Sequence, residues 1–225
     1  MRSLPPAAWL LFLTLACGPR PATAAAPALQ SGDLVFQTSR SRQSAAIQAA
    51  THSPLSHVGL VEVTAEGPFV LEAVQPVRRT PWERWRARGE GGRVLVLRPS
   101  GLTPERREAA LREARRHLGK PYDLRFGWGD EALYCSELVH KAYARGAGLS
   151  LGRQQALSEL DLRALGPALR ERYAGHVPLG LQLLTPASLA EDAALQVVSS
   201  DYDIATVLQR CAGSAARGGT CRPLP

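Results

Sequence analysis

Two short apolar runs separated by a turn constrain the fold of this chain most strongly. The runs extend from His57 to Val63 and from Phe69 to Val74. The five residues between them, Thr64-Ala65-Glu66-Gly67-Pro68, have the length and composition of a hairpin turn. We therefore predict two antiparallel strands joined by this turn, and we expect them to lie at the centre of a sheet.

Further apolar patterns predict the elements around the hairpin. The chain has 225 residues, of which 45% are hydrophobic, so it can bury one sizeable core. Additional strands are expected at Leu34 to Phe36, Arg93 to Arg98 and Leu195 to Ser199. Helices are expected at 40–50, after Pro81 with Trp82 and Trp85, from Pro104 to His117 behind a Thr103 cap, from Ser136 to Ala144, from Gln154 to Tyr173 with a break at Gly166-Pro167, and from Ile204 to Gln209.

The first 24 residues have the pattern of an export signal. Arg2 precedes an apolar run from Ala7 to Ala16, and Ala22-Thr23-Ala24 fits a signal peptidase site. The run is about half of the ~20 apolar residues that cross a bilayer, so no transmembrane helix is expected. Alternatively, Leu15-Ala16-Cys17 fits a lipoprotein cleavage box, which would anchor the chain to a membrane at Cys17.

Export would place the mature protein in the periplasm or outside the cell. We expect residues 25–30 to form a linker, residues 31–200 one domain and residues 201–225 a C-terminal tail. The formal net charge of +7 comes largely from arginines that alternate with glutamates in the helix predicted after Thr103. That mixture is typical of a solvated helix face, with a patch for anionic lipid or polymer as the alternative. A nucleic-acid partner is not expected, because no basic stripe is interleaved with aromatic residues.

Four cysteines occur, at positions 17, 135, 211 and 221. No pair of them has the short spacing with nearby histidines that marks a zinc site, so we predict neither a metal nor another cofactor. In an oxidising compartment Cys211 and Cys221 could close a small loop in the tail. Cys135 would then be the odd thiol and a candidate for reactivity.

Cys135 stands between an aromatic-rich loop and a predicted helix. Leu138, Val139 and Ala142 follow at helical spacing, which places the cysteine on the buried face of the first turn. Unpaired backbone N–H groups at the start of a helix stabilise a thiolate and could also stabilise an oxyanion. The alternative is an unreactive cysteine that packs as a small hydrophobic residue.

A nucleophilic thiol requires a base, and three histidines are candidates. His140 lies five residues after the cysteine, about 140° around the helix at ~3.6 residues per turn, so we expect it on the helix surface. His57 begins a predicted strand, and Gly59 on the same face would leave room beside its ring. His52, in the preceding loop, is the rival base, and a strand-end histidine satisfied by local hydrogen bonds is the alternative for His57.

Glu72 is a carboxylate inside the otherwise apolar second strand of the hairpin. An unpaired buried carboxylate costs several kcal/mol, so Glu72 requires a cation or a donor beside it. The hairpin would bring it near His57, where it could hold the second ring nitrogen and fix the tautomer. The alternative is an edge-strand glutamate that faces water.

Several motifs occur in a fixed order along the chain. They are Gly32-Asp33-Leu34-Val35-Phe36-Gln37, Ser53-Pro54-Leu55-Ser56-His57-Val58-Gly59, Val70-Leu71-Glu72-Ala73, Gly119-Lys120-Pro121-Tyr122-Asp123 and Tyr134-Cys135-Ser136-Glu137-Leu138-Val139. Together they resemble a known family, the permuted papain-like hydrolases of the YiiX/YebB-like branch of the NlpC superfamily. The resemblance runs from about Ser31 to about Ser199.

The resemblance implies an α+β, circularly permuted papain-like fold of the NlpC type, with an antiparallel sheet packed against helices that include the nucleophile helix. It also implies Cys135 as nucleophile, His57 as base and Glu72 as the residue that orients the base. Tyr122 and Tyr134 flank the cysteine loop and are candidates for substrate binding. Aromatic packing beneath the loop is the alternative for both tyrosines.

The expected activity is hydrolysis of an amide, or of an ester, through a thioester acyl-enzyme. Export favours a cell-envelope substrate such as a peptidoglycan peptide. One alternative is a lipid-directed acyl hydrolase or acyltransferase, which an anchor at Cys17 would favour. A non-catalytic envelope-binding module is another. The shape of the cleft beside Cys135, apolar for acyl chains or open and polar for peptides, would discriminate between the substrates.

Overall fold

A six-stranded antiparallel sheet forms the centre of the molecule. The structure is a computed structural model that describes residues 28–163 and 166–208. The strands, in the spatial order β4-β3-β2-β1-β5-β8, are antiparallel to their neighbours, and β6 and β7 pair separately. Their bounds are β1 (Leu34–Gln37), β2 (His57–Thr64), β3 (Gly67–Glu72), β4 (Arg78–Pro81), β5 (Leu95–Pro99), β6 (Gln155–Ala156), β7 (Gln182–Leu183) and β8 (Leu195–Ser200).

The predicted hairpin is the β2–β3 pair, and its register positions the later site. Leu60 pairs with Leu71, and Val61 pairs with Val70. Because side chains alternate along a strand, this register places Glu72 diagonally from His57 on one face of the sheet. The strand pairing alone therefore brings a carboxylate toward the imidazole.

Helices cover both faces of the sheet. The residue ranges are α1 (Arg42–Thr51), α2 (Trp82–Ala87), α3 (Pro104–Arg115), α4 (Cys135–Lys141), α5 (Gly166–Arg172), α6 (Pro186–Ala190) and α7 (Ile204–Val207). The chain continues from α4 through a wider π-type turn at Ala142–Ala147. As predicted, Thr103 caps α3, accepting a hydrogen bond from the Arg106 amide at 3.4 Å.

The buried side chains form two clusters on opposite faces of the sheet. The larger cluster joins the face that carries Leu34, Leu60 and Leu71 to α3 and α4. The smaller one joins Val35 and other valines on the opposite face to Trp82 and Trp85 of α2. The two tryptophan rings stack with their centroids 5.6 Å apart. The expectation of an antiparallel sheet packed against helices is confirmed.

The prediction of a helix from Gln154 to Tyr173 is mostly wrong. Gln155 and Ala156 form β6 instead, and a 3₁₀ turn follows at Leu157–Glu159. Among the described residues of this segment, the α-helical part is Gly166–Arg172. The apolar residues of this segment do not form one helical stripe, because some line a cavity and others pair with the strand β7. The edge strand β4 was not predicted, because its sequence, Arg-Arg-Thr-Pro, has no apolar alternation.

Several sequence predictions concern residues outside the part of the chain that the structure describes. These are the export signal, the lipoprotein cysteine Cys17, and the Cys211–Cys221 pair with most of the tail. Within the described residues, no helix is both long and apolar enough to cross a membrane.

Candidate active site

Cys135 is the first residue of α4 and is buried, with 3% of its surface exposed. The helix starts here because Tyr134 before it is extended and the Glu137 carboxylate accepts a hydrogen bond from the Tyr134 amide at 3.3 Å. Ser136 donates a hydrogen bond to the Leu184 carbonyl at 2.6 Å, which fixes the first turn against a distant segment. Cys135 therefore lies in the first turn of a helix, where backbone N–H groups lack intrahelical acceptors, and its predicted position at the helix start is confirmed.

Lys141 holds the aromatic-rich loop over this helix. Its ammonium group is 2% exposed and lies 2.7 Å from the Glu137 carboxylate. It also donates hydrogen bonds to the carbonyls of Trp128 and Gly129, at 3.2 and 2.6 Å. Burial raises the pKa of Glu137 to about 7, and the hydrogen bond from Lys141 opposes that rise. The hydrogen bonds from Lys141 to the loop carbonyls thus couple the Cys135 helix to the loop that precedes it.

His57 is the first residue of β2, so its ring lies at the end of the sheet, where α4 also begins. Its Nε2 atom lies 2.7 Å from a carboxylate oxygen of Glu72, which leaves Nδ1 available to Cys135. The ring also packs 6.2 Å from Trp85. Burial by itself would lower the pKa of His57, but hydrogen bonds with Cys135 and Glu72 raise it to about 9.

Glu72 is completely buried, and donors surround both of its oxygens. Oε2 contacts His57, while Oε1 accepts a hydrogen bond from Thr80 at 2.6 Å and another from the Arg88 guanidinium. Arg78 Nε lies 3.7 Å from the same oxygen. Burial by itself would raise the pKa of Glu72, but the hydrogen bonds from His57 and Arg88 lower it to about 2. Glu72 is therefore a buried anion and not a water-facing edge residue.

Gly59 has a different use from the one expected. The space beside it is occupied by β3: an added Cβ would clash with Val70 and lie 3.0 Å from the Leu71 carbonyl oxygen and 3.5 Å from the Glu72 Cβ. The prediction that Gly59 makes room for the His57 ring is therefore wrong. Its missing side chain allows β3 to approach closely, and this approach brings Glu72 within reach of His57.

The other two histidines lie away from this arrangement. The His52 side chain is 67% exposed and lies 3.1 Å from Asp161. The expectation that His140 is an ordinary surface residue is wrong, because its Nδ1 atom lies 2.7 Å from the Leu151 carbonyl and its ring contacts Trp128 at 5.4 Å. The loop before α4 and the segment after it cover that helix face.

Cys135 lines a largely apolar cavity. Tyr122 and Tyr134 both line it. The Tyr134 hydroxyl accepts a hydrogen bond from the Leu184 amide at 3.1 Å, and its ring contacts Phe126 edge-on at 5.3 Å. Burial raises the pKa of both tyrosines, so both hydroxyls remain protonated. The apolar walls are formed by Ala46, Ile47, Ala50, Phe126, Leu157, Leu160, Leu169, Leu183, Leu184 and Pro186.

His57 lines instead a larger groove whose lining has a greater polar share. Gln43, Ile47 and Tyr122 line both spaces and form the wall between them. Gln43 donates a hydrogen bond to the Tyr122 hydroxyl at 3.0 Å across this wall. Cys135 and His57 therefore face two different spaces, of which the one beside His57 has the larger polar share.

Sequence reasoning missed Arg88, Thr80 and Gln37. Arg88 immediately follows α2, and no spacing in the sequence connects it with Glu72. Thr80 belongs to the unpredicted strand β4. Gln37 pairs with His57 across β1 and β2, so an alignment of those two predicted strands could have found it.

Among residues 28–163 and 166–208, no group of three or more His, Cys, Asp or Glu side chains is arranged to hold a metal ion. Glu72, the carboxylate nearest His57, is already bound to Thr80 and Arg88. The described donor set therefore does not fit a metal centre.

Comparisons with known proteins show the family and the fold. The sequence profile of one family, the permuted papain-like amidase enzymes of the YaeF/YiiX type, C92 family, matches residues 28–199. YiiX of Escherichia coli strain K12 is 41% identical over 178 residues, which cover 78% of this chain and 88% of YiiX. A crystal structure described as the metalloprotein YiiX from Escherichia coli O157:H7 is 42% identical and superposes with a TM-score of 0.74, covering 77% of this chain and 98% of that one.

Proposed function

Because this chain belongs to the permuted papain-like amidase family of YaeF and YiiX, we propose that it cleaves the amide or ester bond of an acyl-chain substrate. In this proposal Cys135 is the nucleophile, His57 is the base and Glu72 orients the base. Family membership confirms the predicted resemblance and the permuted papain-like fold class, and it supports an activity of the cysteine hydrolase type.

The first half of the reaction forms a thioester. His57 accepts the thiol proton, and the Cys135 sulfur attacks the carbonyl carbon of the substrate. The carbonyl oxygen becomes negatively charged, and backbone N–H groups at the start of α4 can stabilise it. His57 then donates its proton to the leaving nitrogen or oxygen, and the bond to the acyl group breaks. The raised pKa of His57, about 9, supports this role because the ring keeps its proton until the leaving group needs it.

The second half releases the acid. A water molecule gives a proton to His57 and attacks the thioester carbonyl, and collapse of the intermediate restores the thiol and frees the carboxylic acid. Glu72 stabilises the imidazolium formed in each half, because its carboxylate lies 2.7 Å from Nε2. Another acceptor in place of water would give acyl transfer by the same residues.

The observation that carries the substrate class is the apolar cavity beside Cys135. Its lining is mostly apolar, and such a wall suits an acyl chain because burial of the chain removes apolar surface from water. A peptidoglycan stem peptide would place polar and charged groups against the leucine-lined wall, where desolvation is unfavourable. The cavity therefore favours the lipid-directed alternative, and the peptidoglycan substrate stays a prediction without structural support.

An envelope location stays part of the proposal. The features that suggest it, the export signal and the alternative anchor at Cys17, lie in the first 24 residues. A membrane-anchored enzyme would meet acyl lipids directly, so the anchor and the acyl-chain substrate are compatible.

The test is a series of N-acyl amides with one leaving group and chains of two to twelve carbons. Wild type should show kcat/KM rising with chain length, because each buried methylene contributes about 0.8 kcal/mol. Leu157→Trp, which fills the cavity, should lower the ratio of kcat/KM for the twelve-carbon to the two-carbon substrate at least tenfold. Leu118→Trp is the matched control, because Leu118 is 43% exposed and outside the cavity. The proposal would be contradicted if muropeptides were cleaved while kcat/KM for the N-acyl amides did not depend on chain length.

A further inference from the structure

The groove beside His57 has positively charged side chains in its lining. Arg40 and Arg88 both line it, and its described lining contains no aspartate or glutamate. Glu72 lies behind this lining, completely buried. Arg40 is exposed and has no ion pair or hydrogen bond to any described residue. One guanidinium is therefore free to bind an anion in this groove.

Arg88 adds a second cationic group with unused bonding capacity. One terminal nitrogen is bound to Glu72, but the buried Nε atom has no hydrogen-bond partner among the described residues. Its side chain is 38% exposed, so part of the guanidinium faces the groove. An arginine presents five donors in a fixed plane, which suits a carboxylate or phosphate.

Gln37 is the independent observation that points to a ligand. It lines the groove beside His57, it is only 1% exposed, and neither Oε1 nor Nε2 has a hydrogen-bond partner in the part of the chain described. Its amide lies against Gly89, where an added Cβ would clash with Oε1. Buried amides are nearly always hydrogen-bonded, so this one is suited to bind something the protein does not itself supply.

The reaction assigns this groove to one half of the substrate. The general acid must lie beside the leaving atom, and His57 lines the groove while Cys135 lines the apolar cavity. The acyl chain therefore occupies the cavity, and the amine or alcohol that leaves occupies the groove.

From these positions we infer that the leaving group carries an anion, a carboxylate or a phosphate, next to the bond that is cleaved, and that Arg40, Arg88 and Gln37 bind it. The inference rests on the proposed hydrolase function and names the second half of its substrate. The favoured substrates are N-acyl amino acids or acylated phospho-alcohols and phospho-amines, with a long acyl chain on one side and an anion on the other.

The test compares substrates that differ by one charge. N-dodecanoylglycine is paired with N-dodecanoylglycinamide, and N-dodecanoyl phosphoethanolamine with N-dodecanoylethanolamine. Wild type should cleave at least one anionic member about tenfold faster in kcat/KM than its neutral partner, because charge-assisted hydrogen bonds are about twice as strong as neutral ones. The pair with the larger anionic-to-neutral ratio shows whether the groove binds a carboxylate or a phosphate. The preference should decrease as salt is raised from 0.05 to 0.5 M.

Two variants assign the preference to the groove. Arg40→Gln should lower the anionic-to-neutral ratio at least threefold, and Gln37→Leu should lower it without loss of stability, since the amide makes no bond in the free protein. Arg84→Gln is the matched control, because Arg84 is an exposed arginine of α2 that does not line the groove. This variant should keep the wild-type ratio.

The outcomes separate the two proposals. Equal cleavage of both members of each pair would overturn the anion site and leave the hydrolase function standing. The anion site would also be overturned if Arg84→Gln lowered the anionic-to-neutral ratio as much as Arg40→Gln, because net charge would then be the cause. Failure to cleave any of the four substrates, with intact folding by circular dichroism, would contradict the hydrolase proposal and the anion site together.

Discussion

The proposed base and the proposed nucleophile are held in different ways. His57 and Glu72 belong to adjacent strands, and Thr80 and Arg88 donate hydrogen bonds to the Glu72 carboxylate. Cys135 begins a helix whose position depends on distant segments, through Ser136 bound to Leu184 and Lys141 bound to the preceding loop. We expect that loss of a charge beside His57 lowers the free energy of unfolding strongly. Replacement of the Cys135 side chain should change it little.

Cys135→Ala should separate activity from stability most completely. We expect kcat to fall by about 10⁴-fold or more, because the variant lacks the thiol that forms the proposed acyl-enzyme. The free energy of unfolding should change by less than about 1 kcal/mol, since one small buried side chain replaces another. The measurements are turnover of an N-acyl amide, labelling with iodoacetamide and urea denaturation. Persistent labelling of the variant in the described domain would remove Cys135 from its assigned role.

Glu72→Gln should affect both properties. Loss of the carboxylate leaves His57 and Arg88 without their anion, so we expect kcat to fall about 10²- to 10⁴-fold. Breaking a buried ion pair typically costs about 3–5 kcal/mol, and the same loss of stability is expected here. Urea denaturation and steady-state kinetics test the two expectations separately. Stability equal to that of Cys135→Ala would show that the proposed contrast between the two sides does not exist.

Arg88→Met tests whether the groups behind Glu72 position the base. Partners of this kind typically contribute about 10- to 100-fold, and we expect kcat to fall within that range. Because the Arg88 hydrogen bond lowers the pKa of Glu72, the variant should also change the pH profile, and Arg88→Lys should restore part of the activity. Arg78→Met is the matched control, because Arg78 is 46% exposed and 3.7 Å from the carboxylate. If Arg78→Met lowered kcat as much as Arg88→Met, the cause would be the loss of one positive charge and not the position of Arg88.

The pH dependence follows from the direction of each pKa shift. The pKa of His57 is raised from 6.5 to about 9, so its stabilising contribution is complete below pH 6.5 and is lost as pH rises through 9. The pKa of Glu72 is lowered from 4.5 to about 2, so its contribution is present above pH 4.5 and is lost as pH falls through 2. We expect kcat/KM to fall about tenfold per pH unit above 9, as the imidazolium loses its proton. In Glu72→Gln this decline should begin at a lower pH, and an unchanged profile would contradict the assignment of His57.

The same contrast explains how much could be predicted from the sequence. The hairpin, Glu72 near His57, and Cys135 at the start of a helix all follow from short-range patterns, because strand alternation and helix spacing are local properties. Arg88, Gln37 and the cavity walls were not predicted, because their positions depend on how α2 and the 154–173 segment pack against the sheet. Identical local patterns are compatible with many such packings, so only the three-dimensional structure distinguishes an acyl cavity from a peptide cleft.

Tyr134→Phe should give the smallest of these effects, on the nucleophile side. The hydroxyl accepts a hydrogen bond from the Leu184 amide at 3.1 Å, and Leu184 forms part of the cavity wall. Loss of that acceptor leaves a buried N–H group unsatisfied, so we expect about 1–3 kcal/mol of destabilisation. KM for a twelve-carbon substrate should rise a few-fold with kcat nearly unchanged, because the wall moves while the base network stays intact. Tyr173→Phe is the matched control, since its hydroxyl donates a 2.7 Å hydrogen bond to the Arg125 carbonyl at an exposed site. A change in kcat at constant KM would instead place Tyr134 in the chemical step, and the nucleophile side would then depend on hydrogen bonds as strictly as the base side does.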